Sequence, residues 1–266
     1  MNYEIEDNYE HAESHKVYIK ENIVLEELET ENSQFSHGCS CLNECNSEQN
    51  CECFSTFGEN YKQIYTDQES ISNKEYVLNE DRFNLPIYEC NVNCSCNIYC
   101  RNRLVQHGPR KNLQIIKCDN KKGLGLITKQ LIRRGMFICE YAGEVITKEI
   151  AEIRFNENRK HDRMNYILEF NENFGNVKYR TIVDPSIYGN IGRYLNHSCE
   201  PNCSLISVRI NEFIPKICIF ASEDIHPNEE LTFDYGEYLP NFESKQHLTK
   251  CLCKKPKCRT WLPFLI

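Results

Sequence analysis

The chain has 266 residues, of which 40% are hydrophobic, so it is long enough for one large domain or for a domain with appendages. Its formal net charge of −8 argues against strong direct binding to nucleic acid, which needs a basic surface, and suits a basic peptide partner or simply an acidic surface. It contains no apolar run of about 18 residues, so the sequence predicts no transmembrane helix.

Residues 1–36 are acidic and predict an N-terminal leader, which is either flexible or a docking segment. They lack the basic start and the apolar stretch of a secretory signal peptide. We therefore expect an intracellular protein, in which thiols stay reduced. Seventeen cysteines in such a compartment indicate metal binding rather than disulfides.

Two runs, "HGCSCLNECNSEQNCECF" and "YECNVNCSCNIYC", hold nine cysteines: Cys39, Cys41, Cys45, Cys51, Cys53, Cys90, Cys94, Cys96 and Cys100. A structural zinc ion binds four thiolates. Nine thiolates can serve three zinc ions if three of them each bridge two ions. Such a cluster replaces a hydrophobic core and couples folding to metal. The odd count disfavours a disulfide network, and the polar stretch between the runs predicts a surface loop over residues 54–88.

This pattern resembles the pre-SET domain of SET-domain protein lysine methyltransferases of the suppressor-of-variegation type. The resemblance implies a mostly β fold with short helices, in which a triangular three-zinc pre-SET domain precedes a SET domain with a pseudoknot and a zinc-binding post-SET tail follows it. The implied divisions are the leader over 1–36, the pre-SET domain over 37–110, the SET domain over 111–236 and the post-SET segment over 247–263.

The stretch "KKGLGL" follows the first predicted strand of the SET domain and matches the family's cofactor turn. Two glycines let a backbone approach a ligand closely, although they also suit a plain hairpin turn. Leu124 stands where the family usually has tryptophan, which is a departure from the pattern. The implied cofactor-binding residues here are Lys122, Gly123, Leu124 and Gly125.

The next blocks are "EYAGEVIT", a predicted helix "KEIAEIRFNENRK" and a predicted strand "NYILEF". Thr147 is predicted to cap the helix, whose apolar residues are Ile150, Ile153 and Phe155. Tyr141 lies in the first block, and Tyr166 stands where the family has a tyrosine that contacts the cofactor. A single tyrosine is also often a core residue with a hydrogen-bonded hydroxyl.

The most specific stretch is "GNIGRYLNHSCEPN". An adjacent asparagine and histidine offer several hydrogen-bond donors and acceptors, as a zwitterionic ligand with a purine requires. The resemblance implies that Asn196, His197 and Arg193 hold S-adenosylmethionine.

The stretch "EELTFDYG" ends a predicted strand and supplies Tyr235, which matches the family's catalytic tyrosine, and Phe233. The resemblance implies that Tyr235, Tyr141 and Phe233 form the catalytic set and that they wall a lysine channel. It also implies that Trp261, in the tail, walls this channel and lies in the cofactor-binding set.

The tail "CLCKKPKCRTWLPF" supplies three cysteines, whereas zinc needs four ligands. The resemblance implies that Cys199 completes a site with Cys251, Cys253 and Cys258. The remaining thiols, which are mostly in apolar strand-like runs, are predicted to be inert: Cys118, Cys139, Cys203 and Cys218.

The implied activity is methyl transfer from S-adenosylmethionine to a lysine of the histone H3 tail or nucleosome, with zinc as scaffold. Lysine 9 is favoured, lysine 36 stays open, and Phe233 predicts a di- or trimethylated product. The implied location is the nucleus and the chromosome. The alternatives are a non-catalytic zinc-stabilised chromatin-binding module, for which Leu124 counts, and a methyltransferase for a non-histone protein.

Overall fold

A computed structural model describes residues 16–28, 34–46, 50–64, 75–118, 122–236 and 249–262. Within these ranges the chain is mostly β, with two α-helices, Glu52–Phe57 (α1) and Lys148–Lys160 (α2). The strands are β1 Val17–Tyr18, β2 Ile23–Val24, β3 Tyr61–Ile64, β4 Glu75–Leu78, β5 Ile87–Tyr88, β6 Leu113–Lys117, β7 Leu124–Thr128, β8 Phe137–Glu140, β9 Glu144–Val145, β10 Leu168–Phe174, β11 Val177–Asp184, β12 Tyr188–Gly189, β13 Asn196–His197, β14 Cys203–Arg209, β15 Lys216–Ala221 and β16 Thr232–Phe233. Their sheet orders are β1-β12, β10-β11-β9-β2, β13-β16, β5-β14-β15-β8, β3-β4 and β6-β7. No helix in the described part is long and apolar enough to cross a membrane.

Strand β15, "KICIFA", explains how the core is divided. Side chains alternate between the two faces of a strand, so Ile217 and Ile219 point to one side and Cys218 and Phe220 to the other. The first pair belongs to the main core and the second to a smaller core, and all four are 0% exposed. The run is continuously apolar because both faces of this strand are covered.

The smaller core corrects one sequence prediction, because the stretch between the cysteine runs is not simply a surface loop. It contains the last four residues of α1 and the antiparallel hairpin β3–β4, whose register pairs Tyr61 with Leu78, while its residues 65–74 lie outside the described residues. Both side chains are 1% exposed and pack with Phe220. The prediction was wrong because a few apolar residues within a polar stretch carry the packing.

The N-terminal segment also belongs to the fold where it is described. Strand β1 pairs in parallel with β12, and β2 pairs in parallel with β9. The hydrogen bond from Ile23 N–H to the Gly143 carbonyl, 3.0 Å, continues this pairing. Residues 16–28 are therefore held along β9 and β12.

Helix α2 begins as the sequence predicts. The Thr147 hydroxyl accepts a hydrogen bond from the Ile150 N–H at 3.4 Å, which caps the helix. Ile150 and Phe155 pack against a small core around Ala151, whereas Ile153 is 64% exposed. Of the three apolar residues, only two therefore contribute to packing.

The crossing of two distant segments brings the candidate site together. Strand β13 runs parallel to β16, with Asn196 opposite Thr232 and His197 opposite Phe233. The Ser198 N–H donates to the Phe233 carbonyl at 3.1 Å and extends the contact. The mostly β fold predicted from the sequence is confirmed.

Candidate active site and zinc sites

His197 lies at the centre of the candidate active site and is 4% exposed. The Tyr235 backbone N–H donates to its Nδ1 at 3.2 Å, so Nδ1 carries no hydrogen and Nε2 does. Nε2 lies 3.2 Å from the Cys199 Sγ, to which it therefore donates. Burial lowers the pKa of His197 to about 4, against an opposing effect of Asp234. The imidazole is thus neutral and connects Tyr235 to a predicted zinc ligand.

Three aromatic side chains of the predicted catalytic set lie together. The Phe233 ring centroid is 4.8 Å from that of Tyr235 and 5.9 Å from that of Tyr141. The Tyr235 hydroxyl donates to the Leu195 carbonyl at 3.0 Å, and the Tyr141 hydroxyl donates to the Tyr166 carbonyl at 2.6 Å. Burial raises the pKa of both phenols, so both stay protonated. Since their hydrogens are directed to carbonyls, their oxygens offer lone pairs to a further group.

The glycine turn packs against the Asn-His pair. Strands β6 and β7 pair antiparallel, and Gly123, directly before β7, has a φ of +80°. The Asn196 amide donates to the Leu124 carbonyl at 3.0 Å. A Cβ at Gly125 would lie 3.1 Å from this amide and 2.5 Å from the Cys118 Sγ, so glycine is required for the approach. The backbone of β7 and the Asn-His pair thus form one polar edge, whose donors and acceptors are of the kind that the predicted cofactor needs.

Glu230 ties this edge together and was missed by the sequence reasoning. Its carboxylate accepts from the Asn196 amide at 2.9 Å and from the Lys122 amine at 2.7 Å. The amine of Lys122 is therefore directed to Glu230. The available signal was that Glu230 begins the "ELTFDYG" stretch that ends at the predicted catalytic tyrosine.

Arg193 and Tyr166 contact each other at the same site. The guanidinium carbon of Arg193 lies 4.4 Å from the centroid of the Tyr166 ring, which is a cation–π distance. Arg193 is 5% exposed, and Tyr166 is half-buried.

The nine cysteines of the two runs come together, and each is at most 8% exposed. The sulfur atoms lie within 4.8 Å of one another in these groups: Cys39, Cys41, Cys45 and Cys51; Cys39, Cys53, Cys90 and Cys94; Cys39, Cys45, Cys90 and Cys96. Cys39, Cys45 and Cys90 recur, so they lie at the shared positions of the cluster. Cys100 joins it through its sulfur, which accepts from the Cys45 N–H at 3.3 Å. Three bridging and six terminal thiolates fit three tetrahedral zinc ions.

A separate group of thiols joins the tail to the Asn-His segment. The sulfur atoms of Cys199, Cys251, Cys253 and Cys258 lie within 4.8 Å of one another. Four thiolates at this spacing suit one structural zinc ion. Trp261 follows in the same tail, where it forms a bridge with Lys250 and is half-buried. Within the described ranges, Trp261 makes no ring contact with the cluster of Tyr141, Phe233 and Tyr235.

The four other cysteines divide into two kinds. Cys139, Cys203 and Cys218 are at most 2% exposed, as expected for inert core thiols. Cys118 is half-buried and its sulfur lies 3.5 Å from the Glu230 carboxylate, beside the glycine turn.

Comparisons with known proteins agree with this geometry. The SET domain profile matches residues 123–236, and the Pre-SET motif profile matches residues 2–103. Over 239 residues the chain is 41% identical to the probable histone-lysine N-methyltransferase set-23 of Caenorhabditis elegans, covering 88% of this chain and 91% of that protein.

Solved structures are similar over nearly the whole chain. The methyltransferase domain of human histone-lysine N-methyltransferase SETMAR has a TM-score of 0.75 at 34% identity, covering 96% of this chain and 91% of that one. KRYPTONITE, crystallised with mCHH DNA, an H3(1–15) peptide and SAH, has a TM-score of 0.73 at 28% identity, covering 94% of this chain and 48% of that one.

Proposed function

Because the chain belongs to the family of SET-domain lysine methyltransferases that carry a pre-SET domain, we propose that it methylates a lysine of the histone H3 tail. It is an S-adenosylmethionine-dependent lysine methyltransferase, and zinc is its structural metal. The observation that carries the proposal is the contact of His197 with both the Tyr235 backbone and Cys199, which joins the candidate cofactor edge, the aromatic cluster and the tail.

The candidate edge binds the cofactor through the backbone of Gly125, the Asn196 amide and the neutral His197 ring. Lys122, Gly123, Leu124, Tyr166, Arg193 and Trp261 complete the proposed cofactor-binding set. When bound, S-adenosylmethionine supplies the methyl group and a positively charged sulfonium. The residues need only to bind and orient, since in-line transfer depends chiefly on positioning.

The aromatic cluster prepares the lysine. A free lysine amine has a pKa of about 10.4 and must lose its proton to attack. The rings of Tyr141, Phe233 and Tyr235 exclude water, and desolvation lowers the pKa of an ammonium. The lone pairs of the Tyr235 hydroxyl oxygen orient the amine, because the hydrogen is directed to Leu195.

The zinc ions hold the scaffold and take no part in the transfer. The nine pre-SET thiols would hold three of them, and the post-SET group of Cys199, Cys251, Cys253 and Cys258 would hold one. We keep as a proposal the division into a leader over 1–36, a pre-SET domain over 37–110, a SET domain over 111–236 and a post-SET segment over 247–263.

The histone H3 tail is a basic peptide and complements the net charge of −8. KRYPTONITE was crystallised with an H3(1–15) peptide, which contains position 9 but ends before position 36. This supports lysine 9 as the target and the nucleosome on the chromosome, in the nucleus, as the setting. Phe233 has no hydroxyl to hold a water molecule beside the amine, and we therefore expect di- or trimethylation.

The test is transfer of labelled methyl from S-adenosylmethionine to recombinant histone H3, with the product mapped by mass spectrometry. Tyr235→Phe and His197→Ala should each lower the rate by about 100-fold or more, since each removes a group that positions the reactants. Tyr99→Phe, at a side chain 77% exposed on the pre-SET domain, is the matched control and should transfer at the wild-type rate. Phe233→Tyr should shift the product toward monomethyl-lysine.

Methyl on lysine 9 that is lost in both active-site variants supports the proposal. Methyl on lysine 36 alone would move the target, and monomethyl product from both wild type and Phe233→Tyr would contradict the predicted degree. A zinc-replete, folded protein that methylates no histone would contradict the proposed substrate.

A further inference from the structure

Arg259 reaches from the tail to the segment that carries Tyr235. One terminal nitrogen of its guanidinium donates to the Gly236 carbonyl at 3.0 Å, and the other donates to the Asp234 carboxylate at 2.5 Å. The two partners are the residues directly before and after Tyr235. The backbone N–H of Arg259 donates to the Cys199 Sγ at 3.3 Å.

The same segment is held from a second side. The Tyr235 N–H is bound by His197, and the Gly236 N–H donates to the Asp234 carboxylate at 3.1 Å. The Cys199 Sγ accepts hydrogen bonds from both the His197 ring and the Arg259 backbone N–H. Tyr235 is therefore connected to the tail's thiol group by two routes, one through an imidazole and one through a guanidinium.

We propose that Arg259 is a positioning residue for methyl transfer, which sets the backbone of Tyr235 by holding Asp234 and Gly236 together. This inference rests on the proposed function of Tyr235. It makes the docking of the tail against Asp234 and Gly236 a condition for the correct placement of the tyrosine hydroxyl.

The chemistry of arginine suits this role. A guanidinium is planar and presents donors in a fixed fork, so it can bind a carboxylate and a carbonyl at the same time. Lysine has a single ammonium on a flexible chain and cannot reproduce that spacing. The Arg259 side chain is 32% exposed and the Asp234 side chain is 41% exposed, so water screens the contribution of this ion pair to global stability. We therefore expect its loss to appear in catalysis rather than in unfolding.

The experiment compares Arg259→Ala, Arg259→Lys and Asp234→Asn in the full chain. Arg134→Ala is the matched control, because Arg134 also binds one carboxylate, Glu80, and one carbonyl, Ser222, but at another surface of the molecule. The measurements are kcat and KM for methyl transfer, zinc per chain, the Kd for S-adenosylmethionine, and hydrogen exchange at the Tyr235 amide by NMR.

We expect Arg259→Ala to lower kcat by roughly 10- to 100-fold, as for a small misplacement of a reacting group. The zinc content and the Kd should stay at the wild-type values, and Arg259→Lys should be intermediate. Adding Asp234→Asn to Arg259→Ala should lower kcat little further, because both substitutions break the same contact between Arg259 and Asp234. Exchange at the Tyr235 amide should quicken in Arg259→Ala and not in Arg134→Ala.

Wild-type kcat and wild-type exchange in Arg259→Ala would overturn the inference. So would loss of tail zinc in both Arg259→Ala and Arg259→Lys, since the arginine would then serve the metal site. If the wild type transfers no methyl while the Tyr235 amide still depends on Arg259, the proposed function fails and its catalytic consequence with it, and only the part of the inference by which Arg259 holds the Tyr235 backbone stands.

Discussion

At the scale of single residues, the candidate site depends on side chains that each form hydrogen bonds with two different elements. His197 accepts from Tyr235 with one nitrogen and donates to Cys199 with the other. Glu230 accepts from Lys122 and Asn196 with the same carboxylate. Residues of this kind hold two elements at once, so a substitution that changes one atom alters the distance between the elements.

Glu230→Gln tests this idea at the cofactor edge. The change keeps the shape but removes the charge that holds Lys122, so Asn196 and the glycine turn lose a common anchor. We expect the Kd for S-adenosylmethionine to rise by about tenfold, as for loss of one charge-assisted hydrogen bond. Isothermal titration calorimetry on the zinc-replete protein measures it.

The neighbouring Glu229 provides the control. Within the described part of the chain, the Glu229 carboxylate accepts one hydrogen bond, from the exposed His226 N–H at 2.8 Å. Glu229→Gln should bind the cofactor as the wild type does. Equal Kd values for Glu230→Gln and Glu229→Gln would contradict the role assigned to Glu230.

At the scale of elements, the hairpin β3–β4 connects the pre-SET segment to the SET sheet. Tyr61 packs with Phe220 of β15, and its hydroxyl donates to Glu89 at 2.8 Å. Glu89 is 3% exposed and also accepts from the Val105 N–H at 2.8 Å. Burial raises the pKa of Glu89, and these donors oppose that effect. The hairpin thus supplies both apolar contact and a donor to a buried carboxyl group.

Tyr61→Phe should lower the free energy of unfolding by about 1–2 kcal/mol, because the ring stays while a buried acceptor loses its donor. A shift of the urea midpoint at saturating zinc measures the effect. Tyr76→Phe, on the same hairpin, removes a hydroxyl that donates to half-buried Glu44 at 2.7 Å and should cost less. An equal or larger loss for Tyr76→Phe would show that the buried contact is not the important one.

At the scale of the whole molecule, metal replaces apolar packing in one part of the chain. The core of the pre-SET cluster consists of its nine cysteines, with Phe54 packed against them. The tail site is more open, because Cys199, Cys253 and Cys258 are only partly buried. Zinc should therefore leave the two sites at different rates.

A chelator should release the single tail zinc first and the three cluster zinc ions later. Methyl transfer should fall with the first release, because Arg259 of the tail contacts the Tyr235 segment, and Cys199, which shares the tail's thiol group, contacts His197. Far-UV circular dichroism should change only with the second release, when the pre-SET segment loses its core. A metal-sensitive dye and the methyl-transfer assay, followed together in time, give the order.

Early loss of the cluster zinc, or full activity after release of the first ion, would contradict this order. The protein kept in excess zinc through the same time course is the control. It should keep both its activity and its circular dichroism spectrum.

Local patterns in the sequence determined the kinds of residue and their neighbours. The cysteine spacing alone predicts three zinc ions that share thiolates, and the sulfur atoms do lie close together. Thr147 likewise predicts the start of α2, which it caps. The Asn196-His197 and Tyr235 motifs likewise indicate the site, since the residues that carry it are contiguous in short stretches. Such features depend on chain geometry over a few residues, which a sequence displays directly.

Only the tertiary structure decided which distant groups meet. The central positions of Cys39, Cys45 and Cys90 among the clustered thiols follow from sulfur distances across two separate runs, and the contact of Arg259 with Asp234 joins residues 25 positions apart. The exposed Ile153 and the buried Tyr61 were likewise decided by packing. The physical reason is that a contact between distant segments depends on how the sheets cross and what covers each face, which no short stretch of sequence contains.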